Sequence, residues 1–253
     1  MSAQPMPPEP TPEVASEADV DGGVQEVVGY YDSGAIKEVA HLLDGRLHGA
    51  VTVHREDGSV ESRSHFEEGA LQGRAELFDE AGKLSQSADY VKGQLEGEVH
   101  VFARGKRIMT MEVHAGQQDG LTTTYDEAGR VTGRTLFVAG VQDGESMWYG
   151  PDGEVVRRSQ YRGGVLHGDT FEYYPDGSVR QHTPYVDGVI EGEVVTYDPE
   201  GEVLAREVVS PATPAEGAGP APEADPGSTA AAEESEERQG ASFSGFFGRF
   251  KGG

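Results

Sequence analysis

The sequence predicts an all-β protein, an elongated antiparallel sheet of consecutive 24-residue β-hairpin repeats with disordered N- and C-terminal tails. Three observations predict this fold: glycines that recur with one period, apolar residues at fixed phases, and Asp-Gly turn pairs between them. Such a period is typical of repeat architectures, in which each unit buries its apolar side chains against its neighbours. The chain then divides into four parts: an acidic tail 1–24, a repeat domain 25–209, a linker 210–240 and a docking peptide 241–253.

Three series of glycines define the repeat. The first series is Gly34, Gly58, Gly82, Gly105, Gly129, Gly153, Gly177 and Gly201. The second is Gly45, Gly69, Gly93, Gly116, Gly140, Gly164 and Gly188, and the third follows it by four residues, from Gly49 to Gly192. Every step is 24 residues except one of 23, in the repeat that contains Phe102. Glycine and aspartate tolerate the positive φ of tight hairpins, so the glycines predict turns.

Apolar residues between these turns predict two strands per repeat. One aromatic phase lies four residues before the first-series glycine, at Tyr30, His54, Phe78, Tyr125, Tyr149, Tyr173 and Tyr197. A second phase lies three residues before the second-series glycine, at Leu42, Phe66, Tyr90, Val113, Phe137, Tyr161 and Tyr185. Because successive strand residues face opposite sides, Val179 and Tyr185, six apart, are expected on one face.

The pattern Tyr161-x-x-Gly164-x-x-x-Gly168, repeated from Tyr185 to Gly192, resembles the MORN repeat. The period and the Tyr-x-x-x-Gly turns, such as Tyr149 to Gly153, resemble its bacterial variant, whose members are commonly labelled YwqK-like antitoxins of toxin–antitoxin systems. The resemblance extends over about 180 of the 253 residues. It implies a β-hairpin repeat sheet and a non-catalytic interaction role.

Charge and composition narrow the function classes. The net charge of −25 disfavours nucleic acid and anionic membrane and favours a basic protein partner, although it also solvates a thin sheet. The absence of cysteine excludes a disulfide framework. Residues 1–23 show no basic n-region or apolar h-region, which predicts a cytoplasmic location.

The polar residues predict neither an enzyme nor a metal site. His48 and His167 occupy one repeat position but lie five repeats apart, too far to share an ion. The carboxylates of Asp57, Asp152 and Asp176 belong to turn pairs. We therefore expect no cofactor and no small-molecule substrate.

Two groups of residues are predicted to bind a partner. Trp148 and Tyr174 have nearly the same phase in adjacent repeats, and they form either an exposed aromatic patch or ordinary sheet packing. In the terminal peptide, four aromatic residues share one face of a helix, accompanied by two bases: Phe243, Phe246, Phe247, Phe250, Arg249 and Lys251.

The predicted function is therefore a protein-interaction scaffold, of which an antitoxin that neutralises its toxin by binding is one instance. The terminal peptide, 241–253, docks into a protein groove in one hypothesis. In the alternative it binds the inner face of the membrane and makes the protein a membrane-associated scaffold.

Overall fold

The computed structural model describes residues 15–20 and 23–209, which form 21 strands and no helix. In chain order the strands are β1 (Ala15–Val20), β2 (Val24–Tyr30), β3 (Ile36–Leu43), β4 (Arg46–Leu47), β5 (Gly49–His54), β6 (Val60–Glu67), β7 (Ala70–Leu71), β8 (Gly73–Phe78), β9 (Leu84–Val91), β10 (Gln94–Ala103), β11 (Lys106–His114), β12 (Gln117–Tyr125), β13 (Val131–Val138), β14 (Val141–Tyr149), β15 (Val155–Arg162), β16 (Val165–Leu166), β17 (Gly168–Tyr173), β18 (Val179–Val186), β19 (Val189–Ile190), β20 (Gly192–Tyr197) and β21 (Val203–Val209).

The strands form one open antiparallel sheet in which each hairpin pairs with the next along the chain. The two-residue strands β4, β7, β16 and β19 pair with the same neighbour as the strand that follows them, so each begins a longer, interrupted strand. The predicted all-β repeat sheet is confirmed. Strand β1 lies within the residues predicted as an N-terminal tail, 1–24, and pairs antiparallel with β2. Among the described residues no helix is long and apolar enough to cross a membrane.

Two kinds of turn join the strands. In the turn after β18, Asp187 and Gly188 have φ of 49° and 82°, and two positive φ values in succession define the hairpin turn whose twist matches that of the strands. In the turn before β18, the N–H of Tyr174 donates to the carbonyl of Ser178 and the N–H of Gly177 donates to the carbonyl of Tyr174, with Gly177 at φ 85°. Each glycine of the first two series thus occupies a backbone conformation that side chains disfavour.

A register shift separates the two apolar phases, so the predicted shared face of Val179 and Tyr185 is wrong. Tyr173 pairs with Val179, whereas its neighbour Glu172 pairs with Gln181, which leaves one extra residue in β18. Paired residues share a face and Tyr173 and Glu172 face opposite sides, so Val179 faces away from Gln181 and Tyr185.

The face that carries Tyr185 is termed the serine face, because Ser146 and Ser159 on it have 0% exposure. A single row of paired residues crosses this face, namely Ala75, Ala88, Val99, Met111, Thr122, Thr135, Ser146 and Ser159. The row is apolar as far as Met111 and hydroxylated from Thr122 onward. The main apolar cluster accordingly lies in the N-terminal half of the sheet, around Phe66, Tyr90 and Val99.

The opposite face is termed the arginine face. Arginine side chains lie over the rings of aromatic residues there, as with Arg158 at 5.2 Å from the centre of Phe171 and Arg134 at 5.8 Å from that of Tyr149. His182 stacks on Phe171 at 4.8 Å. These contacts give cations a partner on an exposed sheet surface.

Candidate functional site

An apolar groove of about 890 Å³ lies on the serine face in the N-terminal half of the sheet. Its volume is within the range of sites that bind small molecules or segments of partner proteins. The floor contains the buried side chains of Ala40, Phe66 and Tyr90. One side is formed by the leucines two residues after the first three second-series glycines: Leu47, Leu71 and Leu95.

The rings of the floor are placed by the strand register. Phe66 pairs with Gly49 on one neighbouring strand and with Leu71 on the other. Tyr90 likewise pairs with Gly73 and Leu95. Burial raises the pKa of the Tyr90 hydroxyl to about 12, so this side chain is neutral at physiological pH.

Hydrogen bonds between successive turns hold the leucine side of the groove. The backbone N–H of Gly69 donates to the carbonyl of Leu47 at 2.8 Å, and Gly93 and Gly116 repeat the bond to Leu71 and Leu95. Each leucine is therefore tied to the turn of the next repeat. This fixes the spacing between the leucines at two strands, or about 9–10 Å.

Polar side chains just before the third-series glycines reinforce the same edge. The Glu96 carboxylate accepts a hydrogen bond from the backbone N–H of Ala115 at 2.8 Å, and Gln72 accepts one from Lys92. The Ala115 bond, followed by the contact with His114, lowers the pKa of Glu96. Both N–H groups belong to residues with positive φ in the next turn. These contacts make the residue before the third-series glycine a polar turn position.

The groove ends where glutamine replaces leucine. Gln118 and Gln142 occupy the position of Leu95 in the next two repeats, and their side-chain amides donate to Thr122 at 2.6 Å and Ser146 at 3.0 Å. The serine-face row changes from apolar to hydroxylated at the same point, at Thr122. Two independent positions of the repeat therefore end the groove at this point of the sheet.

Few charges enter the groove itself. Glu38 and Arg46 are the charged side chains that line it among the described residues. Asp44 and Glu68 are exposed in the turns that contribute its lining glycines. Lys92 is exposed in the turn of Gly93, so the groove is apolar inside, with charges of both signs at its edge.

The residues predicted from sequence to bind a partner lie elsewhere or outside the described residues. Trp148 is half-buried on the serine face, with the Arg157 guanidinium 5.3 Å from its ring centre. Tyr174 is half-buried in a turn, and its hydroxyl donates to the carbonyl of Tyr197 at 2.9 Å. Neither lines the groove. The remaining six lie outside the described residues: Phe243, Phe246, Phe247, Arg249, Phe250 and Lys251.

The groove leucines were not predicted, although the sequence carries a signal for them. The signal is the residue two positions after the second-series glycine, which in chain order is Leu47, Leu71, Leu95, Gln118, Gln142, Leu166 and Ile190.

Histidine–carboxylate pairs occur on the sheet, such as His114 with Glu96 at 2.6 Å. Within residues 15–20 and 23–209, no three His, Cys, Asp or Glu side chains are placed to hold a metal ion.

Comparison with protein families supports the repeat assignment. Residues 166–187 match the family model described as the MORN repeat variant. This segment is similar to a MORN-variant repeat unit. It covers most of one 24-residue period, including Tyr185, and the same glycine and aromatic phases recur through the rest of the sheet. No curated protein matches the chain.

Solved structures show only distant similarity. TarM, recorded from S. aureus, is 14% identical over 44% of this chain and 19% of TarM, with a TM-score of 0.25. The GtfA/B complex bound to UDP and GlcNAc is 13% identical over 45% of this chain and 22% of that chain, with a TM-score of 0.22. A porin-like protein from Bacteroides uniformis is 8% identical over 70% of this chain and 90% of its own, with a TM-score of 0.21. The chain spans about a fifth of the first two proteins, and similarity at this level carries no argument.

Proposed function

We propose that this protein is a non-catalytic protein-interaction scaffold that binds an apolar segment of a partner protein in the groove. The observation that carries the proposal is the set of three leucines, Leu47, Leu71 and Leu95, held at equal spacing beside the buried rings of Phe66 and Tyr90. A MORN-variant repeat supports a repeat-type binding scaffold.

The leucine spacing favours a helical partner segment. Two strands separate successive leucines by about 9–10 Å. Residues seven apart in an α-helix are separated by about 10.5 Å along its axis and lie on one face. An amphipathic helix lying along the groove would therefore place one apolar side chain near each leucine, the helix-in-groove mode of recognition.

The test replaces groove leucines with glutamine, a residue that other repeats already carry at this position. Glutamine occupies the leucine position in Gln118 and Gln142, so the double variant L47Q/L95Q is expected to fold. The matched control is I190Q, which makes the same kind of change outside the groove. Cross-linking in cells followed by affinity purification should recover a partner with the wild type and I190Q and lose it with L47Q/L95Q. Equal recovery with all three proteins would refute the groove as the binding site.

An antitoxin is the finer form of this proposal. The net charge of −25 favours a basic partner, as a neutralised toxin would be in this hypothesis. The recovered partner should arrest growth when expressed alone, and co-expression with the wild-type scaffold, but not with L47Q/L95Q, should restore growth. If the recovered partner has no effect on growth, the antitoxin role is refuted and the scaffold role still stands.

A membrane-associated scaffold is the second candidate. Its support is the sequence of residues 241–253, in which the spacing of four phenylalanines would place them on one face of a helix, with Arg249 and Lys251 nearby. In this form the protein is cytoplasmic and peripheral to the inner face of the membrane. Fractionation of cells that express the wild type, or a variant with the four phenylalanines changed to serine, tests it. Equal membrane fractions for the two proteins would refute the anchor.

A further inference from the structure

We infer that the groove binds the chain's own phenylalanine-rich peptide, residues 241–253, in the absence of a partner. The inference rests on the proposed function, because it names an intramolecular occupant for the same groove. The serine face offers an apolar site whose lining includes Leu47, Leu71 and Leu95. The sequence after Val209 contains one strongly apolar segment, and it is this peptide.

The spacing of the phenylalanines matches that of the leucines. Phe243 and Phe250 are seven residues apart, which in a helix is about 10.5 Å. Adjacent groove leucines are about 9–10 Å apart. In such a helix Phe246 and Phe247 would fall between them on the same face and would cover the rings of Phe66 and Tyr90.

The charges of the two surfaces are complementary. The peptide carries Arg249 and Lys251 and no acid. At the groove, Glu38 and Arg46 line the interior, and Asp44, Glu68 and Lys92 are exposed in the adjoining turns, so three acids stand against two bases. The apolar contact would supply most of the affinity, because exposed ion pairs contribute little and are screened by salt.

The intervening chain is long enough for the contact. Nine strand-to-strand steps separate β21 from Leu95 in β10, which at about 4.8 Å per step is about 43 Å. Residues 210–242 span at most about 110 Å when extended, and a flexible chain of that length has a root-mean-square extension of about 30 Å. The peptide is therefore present at a high effective concentration near the groove, far above that of a dilute partner.

Occupation of the groove would regulate partner binding. A partner must displace the peptide, so its apparent affinity falls in proportion to the fraction of molecules with an empty groove. If the peptide fills the groove nine-tenths of the time, its removal raises partner affinity about tenfold. Weak partners would then be excluded and strong ones admitted.

The absence of cysteine from the chain allows a direct test in the full-length protein. Single variants L47C and L95C place a thiol in the groove, and I190C places one at the matched position outside it. Each is made with the natural peptide and with all four phenylalanines changed to serine. Because the phenylalanines span two adjacent leucines, the rate of maleimide labelling should rise on serine substitution at residue 47 or at residue 95, by about tenfold under the same nine-tenths occupancy, and should stay constant at residue 190.

The outcomes separate this inference from the proposed function. Equal labelling of both peptide forms at residues 47 and 95 overturns the inference, whereas loss of partner capture in L47Q/L95Q would still support the scaffold. If protection of the groove thiols from maleimide grows with protein concentration and sedimentation shows a dimer, the peptide docks into a second copy of the chain, and intramolecular docking is overturned. A membrane contact replaces the inference if labelling is equal and the protein co-sediments with vesicles of phosphatidylglycerol and phosphatidylethanolamine only when the four phenylalanines are present.

Discussion

Gly168 lies directly opposite Tyr185 in the ladder between β17 and β18, with φ of 102°. The same pairing of a third-series glycine with a second-phase residue recurs at Gly49 and Phe66, Gly73 and Tyr90, Gly120 and Phe137, and Gly144 and Tyr161. A glycine has no side chain, so the ring opposite it can pack against the neighbouring backbone. The third series is therefore required by both backbone conformation and ring packing.

Alanine at Gly168 should destabilise the sheet more than alanine at Gly73. Both glycines have positive φ, which costs a side chain about 1–2 kcal/mol. A Cβ at Gly168 would also lie 3.2 Å from Cβ of Gln160, whereas one at Gly73 has no atom within 4 Å. We expect losses of about 2–3 kcal/mol for G168A and about 1–2 kcal/mol for G73A in urea unfolding. Equal losses would show that backbone conformation alone requires this series.

The protein should lose stability as the pH falls below about 4.5, because turn carboxylates have lowered pKa values. Hydrogen bonds from Arg130 lower the pKa of Asp126 from its ordinary 3.8, and Ala115 does so for Glu96 from 4.5. A carboxylate whose folded pKa is lowered stabilises the protein above its unfolded pKa, and this contribution is lost as the pH falls through the folded pKa.

The measurement is the thermal midpoint between pH 7 and pH 2.5. The contribution of these two carboxylates to the thermal midpoint should stay constant down to about pH 5 and fall below it. The double variant D126N/E96Q should fall less steeply over the acid range, because it lacks two of the groups that must take up protons. An identical acid slope in the variant would contradict the assignment.

The repeat fold could be predicted because its signals are local. Turn glycines such as Gly177 and Gly188 must adopt positive φ, and that need is visible in the sequence as a period. The faces of the strands were not fully predictable. The extra residue between Val179 and Gln181 inverts the alternation, and the sequence gives no mark of an unpaired residue inside a strand.

The groove was missed for a different reason. Leu95 and Gln118 occupy the same repeat position, and the change from apolar to amide side chain signals where the groove ends. This change ends the groove because the Gln118 side chain donates to Thr122 on the serine face. That contact follows from the strand register, which the sequence does not show. The tryptophan was noticed because it is unique, whereas the leucines are common residues in a periodic background.

Trp148 should report on the arginine that lies over it. Removing that guanidinium with R157A would expose the indole, shift its fluorescence to longer wavelength and cost about 0.5–1 kcal/mol. The control is R158A, since Arg158 lies over Phe171 on the opposite face. A red shift in both variants would indicate a general loosening of the sheet.

If Trp148 itself binds the partner, W148A should abolish capture without changing the far-ultraviolet circular dichroism.

Tyr174 should prove structural in a comparison with its repeat equivalent. Its hydroxyl donates to the Tyr197 carbonyl, as that of Tyr31 donates to the His54 carbonyl at 2.8 Å. Y174F and Y31F should each lower the free energy of unfolding by about 0.5–1.5 kcal/mol. Both variants keep the ring, so partner capture should persist. Loss of capture in Y174F alone would instead assign the hydroxyl to the interface.

Replacing Gln118 and Gln142 with leucine should lengthen the groove, because the series of leucines would then run without interruption from Leu47 to Leu166. The substitutions remove the hydrogen bonds to Thr122 and Ser146, which costs about 1 kcal/mol each, while the added apolar burial offsets part of that loss. Binding of Nile red, a neutral dye suited to a chain of charge −25, should increase in Q118L/Q142L, fall in L47Q/L95Q and stay unchanged in I190Q. Equal dye binding by the wild type and both double variants would mean that these positions do not set the extent of the apolar surface, because the two double variants change the leucine series in opposite directions.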